Sequence, residues 1–183
     1  MKNEYEAKFL EINEEEIKSR LKSLGAKLVK PKQLLSRVIF ENENTRADHS
    51  WIRLRNEGDR VTLTLKQVVD IKTIRGTREI EIIVDDFDRT VELLEGIGME
   101  KKNYQENYRE EWQLNGIIFD FDTWPDIPTF LEIEGPDESS VRQTAKKLGL
   151  EYKNAKFGSI DSIYLGEYGR NILNEENLVF RKN

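Results

Sequence analysis

The sequence contains no cysteine, which removes disulfides, thiolate nucleophiles and cysteine-ligated zinc or iron. It has a single histidine, His49, inside the polar stretch ENENTRADHS, which reads as a surface loop. Neither a His-centred triad nor a multi-histidine metal site can be assembled from that. Long apolar runs are also missing. No stretch approaches the length of a membrane span, and the opening MKNEYEAKF lacks the apolar segment of a secretory leader, so the expected setting is the cytoplasm, with no membrane partner. Positive charge is in deficit: 29 Lys and Arg against 35 Asp and Glu, net −6, argue against a nucleic-acid binder held by bulk electrostatics. The chemistry left over must come from carboxylates, lysines, arginines, hydroxyls and any hard cation they recruit.

What the sequence does have is charge in an orderly place. Charged residues make up 35% of 183 residues, yet aromatic and branched aliphatic residues run throughout, which indicates a folded chain of one domain. That domain is expected over residues 1–169, followed by a polar, mobile tail over 170–183. Three segments read as capped amphipathic helices: NEEEIKSRLKSLGAK, with Asn13 as cap, Glu16 completing a capping box and Ile17, Leu21 and Leu24 as the apolar stripe; DDFDRTVELLEGIGME; and GPDESSVRQTAKKLGLEYK. IDSIYLGEYG reads as a short fourth, with Ile160, Ile163 and Tyr164 buried. VVDIKTIRGT is a longer loop.

Between the helices lie about eight strands, SRVIFEN among them, and seven of the eight divide their residues the same way. EYEAKF sets Glu4, Glu6 and Lys8 against Tyr5, Ala7 and Phe9. WIRLR sets Arg53 and Arg55 against Ile52 and Leu54; VTLTLK sets Thr62, Thr64 and Lys66 against Val61, Leu63 and Leu65. REIEIIV offers Glu79 and Glu81, YREEWQL offers Arg109 and Glu111 with Glu110 spoiling the apolar side, IIFDFDTW offers Asp120 and Asp122, and TFLEIEG offers Glu132 and Glu134. EGDR and LNG are tight-turn chemistry and imply antiparallel neighbours. Helices need an apolar surface, so the charged faces must lie together on the other side. If the sheet stays open, that face is merely wet. If it closes or curls strongly it becomes a polar lumen, in which acids and bases must pair or hold ligands. Acid pairs suit hard divalent cations and basic pairs suit phosphate oxygens, a combination that fits a polyphosphate.

The same residues resemble a known family. Glu4, Glu6 and Lys8 match the ExExK signature of the CYTH superfamily, the triphosphate tunnel metalloenzymes, and WIRLR, TLTLK, REIEIIV, YRE and DFDTWPDIPTFLEIEG follow in the family's order. The resemblance implies an α+β fold, a closed or strongly curled antiparallel β-barrel with helices packed outside, and a metal-dependent triphosphatase acting on a small triphosphate. It implies Mg2+ or Mn2+ on Glu4, Glu6, Glu132 and Glu134 with Asp120 or Asp122 assisting. Lys8, Arg53, Arg55, Lys66, Arg109 and Lys156 would hold phosphate, and Lys8, Glu4 and Glu6 would be catalytic. Glu79 and Glu81 would be ligands or counter-charges of the arginines. Two departures bear on the reaction: Asn107 stands where members commonly have lysine, and SRVIF lacks a second-strand tyrosine, with Arg37 facing that region instead. A class IV adenylyl cyclase making cyclic AMP, a non-catalytic polyphosphate-binding module and an ion-paired scaffold without ligand are the alternatives. A homodimer is compatible with the sequence.

Overall fold

The computed structural model describes residues 1–70 and 72–181, so the expected loop over 68–77 and the expected tail over 170–183 lie partly outside the described residues. The strands are β1 (Lys2–Asn3), β2 (Glu6–Phe9), β3 (Lys27–Glu41), β4 (Ser50–Asn56), β5 (Val61–Val68), β6 (Thr77–Val84), β7 (Glu100–Leu114), β8 (Ile117–Thr123), β9 (Phe130–Glu134) and β10 (Asn177–Leu178). They form one sheet in the order β1-β6-β5-β4-β3-β7-β8-β9-β2. All pairs along this path are antiparallel, while β10 lies parallel to β7.

The two ends of this sheet meet on the first nine residues. β1 pairs with β6, and the Glu4 N–H donates to the Thr77 carbonyl at 3.0 Å; the Tyr5 carbonyl then accepts from the Gly135 N–H at 3.0 Å, and β2 pairs with β9. The expected strong curl is therefore produced by one segment that changes partners between Glu4 and Tyr5. Between β7 and β8 the turn Asn115–Gly116 has φ of 50° and 80°, the left-handed pair that a two-residue hairpin requires and that Asn-Gly supplies at low steric cost.

The helices are α1 (Glu14–Ser23), α2 (Glu43–Ala47), α3 (Phe87–Gly96), α4 (Glu138–Lys147) and α5 (Ile160–Tyr168). α1 and α4 bury Ile17, Leu21, Val141 and Ala145 in the same cluster as Ala7, Phe9, Phe119, Phe121, Leu131 and Ile133, the outward residues of β2, β8 and β9. α3 packs Leu94 with Val38, Phe40 and Leu54 from β3 and β4. None of the described helices is long and apolar enough to cross a membrane.

Several expectations are corrected. ENENTRADHS is not all loop: Asn42 and Thr45 form a reciprocal capping box that starts α2, while His49 is exposed as expected. Asn13 caps α1 as expected, but Glu16 turns to Arg20 at 2.5 Å, and Leu24 lies beyond the buried stripe. β3 and β7 are 15 residues each, because two long neighbours satisfy one another's backbone through KLVKPKQLL and EKKNYQEN, where no clean alternation announces a strand. Glu110 lies on the outward, apolar side as expected, where it meets Lys18 at 2.8 Å and the Trp112 indole at 2.7 Å. On β6 the apolar side is not covered: Ile80 and Ile82 are about half exposed. The expected tail packs through two of its apolar residues, with Ile172 and Leu178 buried against Trp124, Phe130 and Tyr164.

Candidate functional site

The inward faces of the strands line a cavity of about 290 Å³. Glu4, Glu6, Lys8, Arg53, Arg55, Lys66, Arg109, Asp120, Asp122, Glu132 and Glu134 all line it, so eleven of the twelve site residues expected from the sequence are brought together. Lys156 is not among them. Its backbone bridges Lys8 in both directions at 2.9 Å, but its ammonium lies on Glu167 at 2.7 Å.

Cross-strand register explains the gathering, since a period of two puts alternate residues of every strand on one face. Lys8 lies opposite Glu132 and Glu6 opposite Glu134; Asp120 is opposite both Glu132 and Glu111; Arg109 is opposite Asp122; Lys66 is opposite Glu79. The resulting ion pairs form three groups. Lys8 contacts Glu6 at 2.6 Å and Glu132 at 3.1 Å. Lys66 contacts both Glu4 oxygens at 3.0 Å and Glu79 at 3.4 Å. Arg109 grips Asp122 with two bonds, at 2.7 and 2.5 Å, and reaches Asp120 at 2.6 Å.

Burial and neighbouring charge decide protonation. Burial opposes the charge on Lys8, yet Glu132 and Glu6 outweigh it and hold the ammonium protonated. Glu132 is likewise opposed by burial, but Lys8 and Arg109 hold it down at about 2. Among the described residues Glu134 has no cation partner; burial first, then Glu132, Glu4, Glu6 and Glu79, push it up to about 7. Burial also raises Glu4 and Glu6. The Asp120 Oδ1 is buried without a partner.

Across the cavity, β4 and β5 supply the basic wall. Arg53 reaches Glu81 at 3.4 Å and the Thr64 hydroxyl at 3.3 Å, and Thr64 donates to Glu81 at 2.8 Å. Glu79 and Glu81 thus sit on Lys66 and Arg53. Arg55 pairs with Glu57, a buried acid in the turn after β4 that also takes Lys30 at 2.8 Å and Arg60 at 3.0 Å. EGDR reads as a turn and so hides Glu57 in the sequence; its even spacing from Arg53 and Arg55, which continues their face of the strand, is the signal that points to it. Trp51 shares that spacing and lines the cavity, as do Arg37 and Trp124.

Among the described residues, no three acidic side chains form a ready-made metal cage, and most of these carboxylates rest on a lysine or arginine. The donor set nevertheless suits a hard divalent cation. It is all carboxylate oxygen, Asp120 keeps an unpartnered oxygen, and Glu134 is crowded by acids alone.

The family model for the CYTH domain matches residues 2–163, so the chain belongs to the CYTH family. Among solved structures, the PH1012 protein of Pyrococcus horikoshii superposes with a TM-score of 0.70 at 25% identity, covering 84% of this chain and 94% of that one. A candidate adenylate cyclase of Vibrio parahaemolyticus gives 0.78 at 14% identity, covering 88% and 97%. HpAC1 of Hippeastrum, described as having a dominant triphosphatase activity, gives 0.58 at 16% identity, covering 96% and 100%. No curated protein matches the chain.

Proposed function

We propose that this protein is a divalent-metal-dependent triphosphatase that hydrolyses a small triphosphate inside its β-tunnel. The observation that carries the reading is the composition of one cavity: seven cationic side chains share it with eleven acidic ones. A polyanion entering alone would meet an excess of acid. A triphosphate brought in with divalent cations meets groups for both partners, carboxylates for the metal and guanidinium or ammonium groups for the phosphate oxygens.

Glu4, Glu6, Glu132 and Glu134, with Asp120, would hold the metal, which when bound supplies charge neutralisation at the phosphates and a more acidic water. Arg53 and Arg55 would bind and orient the chain of phosphates, Arg109 would steady Asp120 and Asp122, and Lys66 would join from the side of Glu4 and Glu79. Lys8, held cationic between Glu6 and Glu132, would place a fixed positive charge where negative charge develops on the transferred phosphoryl group.

The test is product analysis. Pure protein is incubated with inorganic triphosphate, ATP and thiamine triphosphate, each with Mg2+ and with Mn2+. Orthophosphate release that disappears with chelator is expected. Cyclic AMP with pyrophosphate would replace this reading by the cyclase, and binding without turnover would replace it by a binding module.

A further inference from the structure

Arg37 differs from every other cation lining the cavity. Lys8, Arg53, Arg55, Arg60, Lys66 and Arg109 each have a carboxylate within 4.0 Å; among the described residues Arg37 has none. It is 5% exposed, and its register places it directly opposite Arg55 on β4, an arrangement of like charges that costs stability. Its position is nonetheless fixed. The guanidinium donates to the Asn107 side-chain oxygen, while the Asn107 amide donates to Asp122 at 3.1 Å. On its face, the guanidinium carbon lies 4.6 Å from the centre of the Trp124 ring. Two donors are left over: the Nε–H of Arg37 and the indole N–H of Trp124 are both buried and unpartnered, and both residues line the same cavity.

A buried charge with no counter-charge, stacked and hydrogen-bonded by neutral groups, is costly unless something completes it. Resting on the triphosphate reading above, we propose that Arg37, positioned by Asn107 and Trp124, is the anion-receiving group of the tunnel and takes a phosphate oxygen of the substrate. The planar fork of a guanidinium suits a phosphate, and being free of any carboxylate it need not exchange one ion pair for another when the ligand arrives. Asn107 is the neutral partner this requires: its amide oxygen holds the guanidinium without cancelling the charge. Burial, followed by repulsion from Arg53, Arg55 and Arg109, already disfavours the charged form of Arg37, and an arriving anion would relieve both.

The experiment compares wild type with Arg37→Met and Arg37→Lys. Titration calorimetry is run with inorganic tripolyphosphate and with orthophosphate, with and without Mg2+, beside thermal melting of the ligand-free proteins. Arg37→Met is expected to bind tripolyphosphate at least tenfold more weakly and to melt, without ligand, no lower than wild type. Arg37→Lys, which keeps charge but loses the fork and the Nε–H, is expected to bind severalfold more weakly at unchanged melting temperature. Wild-type affinity in both variants would overturn the proposal, as would a lowered melting temperature with unchanged affinity, the result for a structural strut. Should Arg37→Met not fold, Arg37→Lys decides by the same comparison. If wild type binds orthophosphate through Arg37 but not tripolyphosphate, the triphosphate reading fails and the anion site stands; if it binds neither, both fail.

Discussion

Glu6 stands directly across the sheet from Glu134, on the strand pair that brings the two ends of the sheet together, and both carboxylates line the cavity. Like charges in opposed positions on a sheet repel. Lys8 offsets Glu6, but among the described residues no cation pairs with Glu134. Because burial and its acidic neighbours raise Glu134 to about 7, the folded chain keeps a proton that the unfolded chain releases from about 4.5 upward. The folded state therefore binds more protons in that window, and ligand-free stability should fall as pH rises from about 4.5 to 7, by up to about 3 kcal/mol. A divalent cation would replace the proton. The rise in melting temperature given by Mg2+ or Mn2+ should be larger at pH 8 than at pH 5.5, and Glu134→Gln should flatten both dependences. Equal cation shifts at the two pH values would rule this out.

Replacing Glu4 and Glu6 together by Gln keeps size and polarity while removing two anions from a crowded wall. Turnover should collapse while the ligand-free melting temperature is kept or raised, since both carboxyls are held against burial. The check is a phosphate-release assay beside a thermal melt; retained activity would remove these residues from the metal site.

Arg53→Ala or Arg55→Ala should weaken triphosphate binding by about 1.5 to 3 kcal/mol, the scale of a hydrogen bond to a charged group. The two variants should differ in stability. Arg53 touches an exposed Glu81, whereas loss of Arg55 strips one partner from the buried Glu57. Melting temperature should consequently drop more for Arg55→Ala, and calorimetry should show the binding loss in both. Loss of metal affinity alone would assign them elsewhere.

Glu57 gives the acid limb of stability. Burial opposes its charge, but Arg55, Lys30 and Arg60 prevail and hold it at about 2. An acid with a depressed folded-state pKa contributes stability that is complete above its unfolded value near 4.5 and is lost as pH falls towards about 2. Urea denaturation from pH 6 down to pH 2.5 should show that loss, on the order of 2 kcal/mol after allowance for solvent screening, and Glu57→Gln should remove it while lowering stability at pH 6. An unchanged acid limb in the variant would disprove the assignment.

Leu178 is 1% exposed in a cluster with Trp124, Phe130 and Tyr164. Leu178→Ala should cost about 2 to 4 kcal/mol, the range for a buried Leu cavity, and removal of residues 170–183 should cost more. Both are read by chemical denaturation. A variant as stable as the parent would return this segment to the status of a tail.

The helices α1, α3, α4 and α5, the inward residues of seven strands and the CYTH signature were all legible in the sequence, because periods of 2 and 3.6 and helix caps are local and survive without a partner. Turns such as Asn115–Gly116 were legible for the same reason. What the local pattern could not hold was anything requiring a neighbour. The first halves of β3 and β7 exist because each supplies the other's backbone partners, and the N-terminal segment joins β6 to β9 by changing partners at Glu4. Residues 170–181 pack through two apolar side chains that look incidental in a polar stretch. Lys156 has the composition of a phosphate ligand, but the fold gives it Glu167. Alternation along each strand already says which charges share a face, whereas which of them neutralise one another comes from the folded sheet. That pairing depends on register across strands far apart in the chain, and among the described residues it leaves Glu134 and Arg37 without counter-charges in one cavity.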